Sequence, residues 1–171
     1  YFQFVQQWPP VTCRFSSRTR YQHRPLQIFT IHGLWPSNYS NPTMPSNCIG
    51  LQFKKENVSP QLRAKLERSW PNVESRNDTR FWEGEWNKHG TCSQQTLNQM
   101  QYFQRSYAMW RSYNITEILK NASIVPSATQ TWKYSDIVSP IKAVTKTTPV
   151  LRCKPDPVDP KKFQLLHEVV F

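Results

Sequence analysis

The chain is expected to fold as a single α+β domain, and three observations predict it. Its 171 residues normally make one domain around one core. Its apolar segments are short, some alternating with period two and others recurring every three or four residues, and 14 prolines and four glycines break them up. It contains no internal repeat and no low-complexity linker.

The elements follow in order. Phe2, Phe4, Gln6 and Trp8 alternate through residues 1–8 as a first strand, and Leu26 to Leu34 reads as a second, with His32 near its end. Ser59-Pro60 sets a capping hydroxyl and a first-turn proline ahead of Leu62, Leu66 and Trp70, and Pro71 closes that helix. A further helix is expected from about Asp78, ended by Gly90 as a left-handed cap. Leu97, Met100, Phe103, Tyr107 and Trp110 make a longer helix whose apolar stripe faces the core. Asn114 with Glu117 resembles a capping box before a short helix, and another helix is expected to start near Ser139-Pro140. Val150 to Cys153 and Phe163 to Phe171 read as strands. The last runs to the chain end without a turn, cap or polar tail, so we expect a fragment missing its C-terminal end.

Lys and Arg number 22 against 11 Asp and Glu, a formal charge of +11, which makes polyanions the natural partners. Aromatics at 13%, including seven Trp, exceed what a small core requires, and a mean hydropathy of −0.69 places several of them near water. Basic groups among flat rings suit single-stranded nucleic acid. No segment approaches the roughly 20 apolar residues of a membrane span, and position 1 is expected to be a mature or truncated start. Asn38, Asn57, Asn77, Asn114 and Asn121 each head an Asn-x-Ser/Thr sequon, whereas Asn41 is excluded by its proline. Cys13, Cys48, Cys92 and Cys153 form no CxxC pair and have no histidine at ligand spacing, which argues for disulfides over a metal site, with three pairings open.

Two segments carry the chemistry: Phe29-Thr-Ile-His-Gly-Leu-Trp-Pro-Ser37 and Phe81-Trp-Glu-Gly-Glu-Trp-Asn-Lys-His-Gly-Thr-Cys92. On a helix Glu85, Lys88 and His89 share a face, and Trp82 and Trp86 lie on a neighbouring one, anchoring the helix or walling a cleft. His32 and His89 come from separate segments and can divide proton removal from proton delivery, each worth roughly 10²–10⁴-fold. RNA cleavage needs that division: the 2′-hydroxyl loses a proton as it attacks phosphorus and the departing 5′-oxygen gains one. A lysine can stabilise the phosphoryl charge without a metal. His23, in the basic stretch Arg18 to Arg24, and His167, alternating with Leu165 and Val169, read as non-catalytic.

The two segments, with Phe2-Gln-Phe-Val-Gln-Gln-Trp-Pro-Pro10 and Leu151-Arg-Cys153, resemble the ribonuclease T2 family, and specifically the S-ribonucleases of plant gametophytic self-incompatibility. The resemblance implies a ribonuclease domain over residues 1–171 with a central antiparallel sheet flanked by helices. It implies cofactor-free, metal-free cleavage of RNA through a 2′,3′-cyclic phosphate in a secreted, extracellular monomer with no membrane attachment. His89 would be the general base, His32 the general acid, and Glu85 with Lys88 the stabilisers of the phosphorane. Trp35 would help to hold the nucleotide, and Gln7, Asn72 and Phe81 match positions lining a base pocket in plant relatives. The likeness also implies a Cys48–Cys92 disulfide, no partner for Cys13, the loss of a Cys153 partner with the missing tail, a recognition region near residues 51–58, and pollen F-box ubiquitin-ligase partners. Many members have a histidine before the glutamate of the second motif, where this chain has Gly84, so one phosphate-binding group is expected to be absent. A defence or stress ribonuclease, or an RNA-binding glycoprotein without turnover, would share much of this pattern.

Overall fold

The computed structural model describes residues 1–16, 25–40, 43–75, 77–127, 129–161 and 163–171; His23 lies outside them. Its centre is an antiparallel sheet of four strands, β1 (Phe2–Gln7), β2 (Thr30–Pro36), β3 (Val150–Pro155) and β4 (Gln164–Val170), in the order β2-β1-β4-β3. Paired residues point to the same side of a sheet. The register therefore gives one face to Phe4, Leu34, Gln6, Ile31, Val169 and Leu151 and the other to Gln3, Trp35, Val5, Val170, Glu168 and Arg152.

Helices take the first face. Leu62 and Leu66 of α2 (Pro60–Ser69), Trp82 and Trp86 of α3 (Asp78–Lys88), and Tyr102 and Phe103 of α4 (Gln99–Ser112) form one buried cluster with Phe4, Ile31 and Leu34. Ile115, Ile118 and Leu119 of α5 (Ile115–Asn121) and Ile141 of α6 (Tyr134–Thr145) form a second with Val169. Among the described residues the opposite face carries only a small cluster of Val5, Trp35 and Val170, with Met44 against it, and is left to the polar side chains.

Most of the tryptophan excess serves this packing. β2 is an edge strand, and unpaired edge carbonyls must find donors. Trp70 Nε1 donates to His32 O at 3.0 Å, Tyr102 Oη to Leu34 O at 2.8 Å and Trp110 Nε1 to Phe29 O at 2.8 Å. Leaving such a buried group unpaired costs about 1–3 kcal/mol, so these aromatics fix the strand that bears His32 as well as filling the core. Among the described residues the exposed aromatics are instead Tyr1, Phe15, Tyr39 and Tyr134.

Several boundaries differ from expectation. The second strand begins at Thr30, not Leu26, because β1 ends at Gln7, opposite Thr30, and the Phe29 amide turns away to Thr116 Oγ1. A short helix α1 (Pro9–Phe15) follows β1, its prolines at the positions that need no amide donor. Ser59 caps α2 by accepting from Leu62 N as expected, but Asn114 makes only half a capping box, accepting from Glu117 N. The last helix starts at Tyr134, with Asp136 accepting from Lys133 N, and carries Pro140 in its interior. Gly90 is no left-handed cap: His89 (φ −117°) leads directly into a 3₁₀ turn, Gly90–Ser93. A side chain at Gly90 would instead meet the Trp86 ring at 2.2 Å, so this glycine is required by packing.

Candidate active site

His32 owes its direction to a bulge. Val5 pairs with Gly33 and Gln6 with Ile31, which leaves His32 as the extra residue of β2. A bulge re-aims a side chain that strict alternation would have sent to the helical face. His32 thus meets Trp35, Phe81 and Glu168, with ring centroids 5.1 Å from Trp35 and 6.2 Å from Phe81. Gly33 follows for a steric reason, since a Cβ there would lie 2.1 Å from Trp35 Nε1 and 2.4 Å from Glu85 Oε2.

His89 packs against the same indole, 5.3 Å from Trp35 between centroids. It caps the C-terminus of α3, and its amide still donates to Glu85 O at 2.9 Å, so the helical spacing of Glu85 and His89 holds. Trp35 is 7% exposed and donates to Glu85 Oε2 at 2.9 Å. It therefore contacts both imidazoles and clamps the carboxylate. Lys88 is exposed, and makes no ion pair within 4.0 Å among the described residues. Trp82 and Trp86 are 2% and 1% exposed and anchor α3 to the core. The Cys48–Cys92 disulfide is formed, and with Asn47 N donating to Lys88 O at 2.7 Å it ties the residues around His89 to the preceding loop.

The environments push the two histidines apart. Burial, the Lys88 ammonium and His32 hold His89 down at about 4, against a hydrogen bond to the Pro45 backbone. Burial also works against protonating His32, but its bond to Glu168 and the charges of Glu85 and Glu168 outweigh that and the Arg152 guanidinium, leaving it above the usual histidine value. Burial raises Glu85 toward its protonated form, opposed by His32, the Trp35 hydrogen bond and Lys88. The two imidazoles and the Glu85 carboxyl all contact the Trp35 side chain.

Residues 1–171 match the description of the Ribonuclease T2 family over the full length. The chain belongs to that family. It is an endoribonuclease of the T2 type, 40% identical over 157 residues to Ribonuclease MC of Momordica charantia, a match covering 91% of this chain and 80% of that protein. Ribonuclease S-1 of Pyrus pyrifolia is 38% identical over 159 residues, covering 90% and 68%. Among solved structures, the Japanese pear S3-RNase has a TM-score of 0.84 at 34% identity, covering 99% of this chain and 83% of that one.

Within this T2 ribonuclease the flanking residues divide. Phe81 lies beside His32. Gln7 is 2% exposed; its Oε1 accepts from Thr12 Oγ1 at 3.1 Å, and its Nε2 has no partner among the described residues. Asn72 is spent on its own loop, its Oδ1 accepting from Glu74 N and Ser75 N and its Nδ2 donating to Asn77 O. Cys13, a free thiol, joins that loop to α1 by donating to Val73 O at 3.2 Å. Cys153 is also free. His167 is the extra residue of a second bulge, opposite Arg152 and Cys153, and bonds Thr12 Oγ1 rather than the histidine pair. Gly84 faces open space, with nothing within 4 Å of an added Cβ. The sequon asparagines Asn38, Asn57, Asn77, Asn114 and Asn121 are all exposed. Among the described residues no helix is long and apolar enough to cross a membrane, and no group of three His, Cys, Asp or Glu could hold a metal ion.

Sequence reasoning missed Glu168, Arg152 and Gln3. Glu168 Oε1 lies 2.5 Å from His32 Nδ1, Arg152 Nη1 donates to Glu168 Oε2 at 3.2 Å, and Arg152 Nη2 donates to Gln3 Oε1 at 3.4 Å. Glu168 stands 136 residues from His32, and only the sheet order brings them together.

Proposed function

We propose that this enzyme cleaves single-stranded RNA by metal-free transphosphorylation, with His89 as general base and His32 as general acid. The observation that carries this assignment is a pair of imidazoles packed against Trp35 in opposite surroundings, His32 bonded to the Glu168 carboxylate and His89 next to the Lys88 ammonium. Neutral His89 takes the 2′-hydroxyl proton as that oxygen attacks phosphorus. Protonated His32 gives a proton to the departing 5′-oxygen, and a 2′,3′-cyclic phosphate remains. Glu85, raised toward its protonated form, donates to a phosphoryl oxygen, and the Lys88 ammonium balances the charge that develops on the phosphorane. DNA has no 2′-hydroxyl and is no substrate. Phe81, beside His32, and Gln7 form one flank of the base site. Asn72 contributes by shaping the loop beside it.

RNA and matched DNA incubated with the protein, with and without chelator, test this. RNA cleavage leaving 2′,3′-cyclic phosphate ends, unaffected by chelator and absent with DNA, is expected. No RNA cleavage, or cleavage abolished by chelator, would contradict it.

The biological setting we infer is secretion as a glycoprotein monomer that rejects self pollen in the style, meeting F-box ubiquitin-ligase components in the pollen tube. Five exposed sequons, a disulfide and the likeness to Pyrus pyrifolia S-ribonucleases support it. Residues 51–58, with Leu51, Lys54 and Lys55 exposed, are the recognition region in this account. Exchanging that segment between alleles should change which pollen is rejected. A second setting, a defence or stress ribonuclease with no part in self-incompatibility, is favoured by the likeness to relatives not named as S-ribonucleases, Ribonuclease MC at 40% identity among them. Expression confined to the style would decide for the first, and expression in seed or stressed leaf for the second.

A further inference from the structure

One residue from each strand meets in a row on the face of the sheet that the helices leave free. His32 stands on β2, Gln3 on β1, Glu168 on β4 and Arg152 on β3. Glu168 is the hub and is 5% exposed. Its Oε1 holds His32 Nδ1 and its Oε2 accepts from Arg152, whose other terminal nitrogen is steadied by Gln3 Oε1. A buried carboxylate is costly unless its oxygens are satisfied, and here both are. Arg152 also lies over the Trp35 ring, its guanidinium carbon 5.7 Å from the centroid, so the row closes on the indole that both histidines contact.

We propose that Glu168 is a positioning residue of the reaction: it fixes the ring orientation and tautomer of His32, and Arg152, held by Gln3, fixes Glu168. This rests on the assignment of His32 as the general acid. The proton balance follows from the nitrogen that is occupied. With Nδ1–H donated to Glu168, the proton that leaves the imidazolium is the one on Nε2. It goes to the departing 5′-oxygen. The neutral ring that remains keeps its Nδ1–H on Glu168, so the carboxylate stays ionised and the product tautomer is the one it stabilises. Removing that constraint leaves a neutral ring free to place its proton on either nitrogen.

The charges that face His32 come from three elements. Glu168 of β4 and Glu85 of α3 favour its protonated form, and Arg152 of β3 opposes it. His32 in turn disfavours protonation of His89 and His167. Glu168 itself is held at about 2: burial would raise it, and the bonds from His32 and Arg152, together with the charges of His32 and His167, lower it.

The test uses the full chain with Glu168→Gln, which keeps an acceptor for Nδ1 and removes the charge, and Arg152→Gln, at a half-exposed site, as a second variant. Histidine ring protons are titrated by NMR, and kcat and KM for a dinucleotide are measured across pH. In Glu168→Gln the His32 titration is expected to move to lower pH, and the basic limb of the rate profile to move with it. The expected fall in kcat is roughly 10- to 100-fold with KM nearly unchanged, short of the 10²–10⁴ an acid itself supplies. In Arg152→Gln the His32 titration should move the opposite way. A His32 titration unmoved in Glu168→Gln, or unmoved in Arg152→Gln should the first variant not fold, overturns the positioning role. A titration that moves while the basic limb stays fixed overturns the acid assignment instead, and with it the kinetic role given to Glu168.

Discussion

The two halves of this active site hold the same side chain in opposite ways. His32 sits on an edge strand, re-aimed by a bulge, its Nδ1 bonded to a buried carboxylate at 2.5 Å. His89 sits at the end of a helix, 5% exposed, its Nδ1 without a partner among the described residues, next in sequence to the Lys88 ammonium. One environment supplies negative charge and the other positive charge with desolvation. The difference teaches that acid and base are assigned by surroundings: the Glu168 and Glu85 carboxylates outweigh burial at His32, whereas burial and the Lys88 ammonium act together at His89.

Removing either imidazole should have the largest effect. His32→Ala and His89→Ala should each lower kcat/KM by roughly 10²–10⁴-fold, measured on a dinucleotide, while His167→Ala should change it little. The pH dependence sharpens the contrast. His89 works only when neutral, so activity should rise through about pH 4; His32 works only when protonated, so activity should fall above the usual histidine range. Lys88→Met removes a cation that holds His89 down, so the acidic limb should move to higher pH while the basic limb stays in place.

The disulfide supports only the His89 side. Closing a loop with a sequence separation of 44 is worth about 4 kcal/mol in the chain-entropy account, so Cys48→Ser should lower stability by up to that amount in denaturant titrations. The smallest effect is expected at Gly84, an exposed helical position facing open space. Gly84→His fits there sterically, should gain a few tenths of a kcal/mol in helix propensity, and should lower KM for RNA by adding a phosphate-binding group.

Much of this architecture could be read from local pattern. Ser59-Pro60 announced α2, the three-and-four spacing from Leu97 announced α4, and the two histidine segments marked the site. What escaped was whatever depends on partners distant in sequence. α1 carries no capping side chain and too short a pattern to register. The bulge at His32 exists only in the pairing of β2 with β1. Glu168 and Arg152 lie in the two C-terminal segments read as strands, and only the strand order sets them beside His32 and Gln3. Gly90 misled because a glycine after a helix suggests a left-handed cap, whereas here the Trp86 ring excludes any larger side chain.

The division of labour between the two histidines is tested most directly by changing the leaving group. A uridine 3′-phosphate ester of 4-nitrophenol departs without needing a proton, while its 2′-hydroxyl must still lose one. His32→Ala should recover most of its lost rate on this ester relative to a dinucleotide, and His89→Ala should remain impaired on both. Recovery by His89→Ala with continued impairment of His32→Ala would contradict the assignment of base and acid.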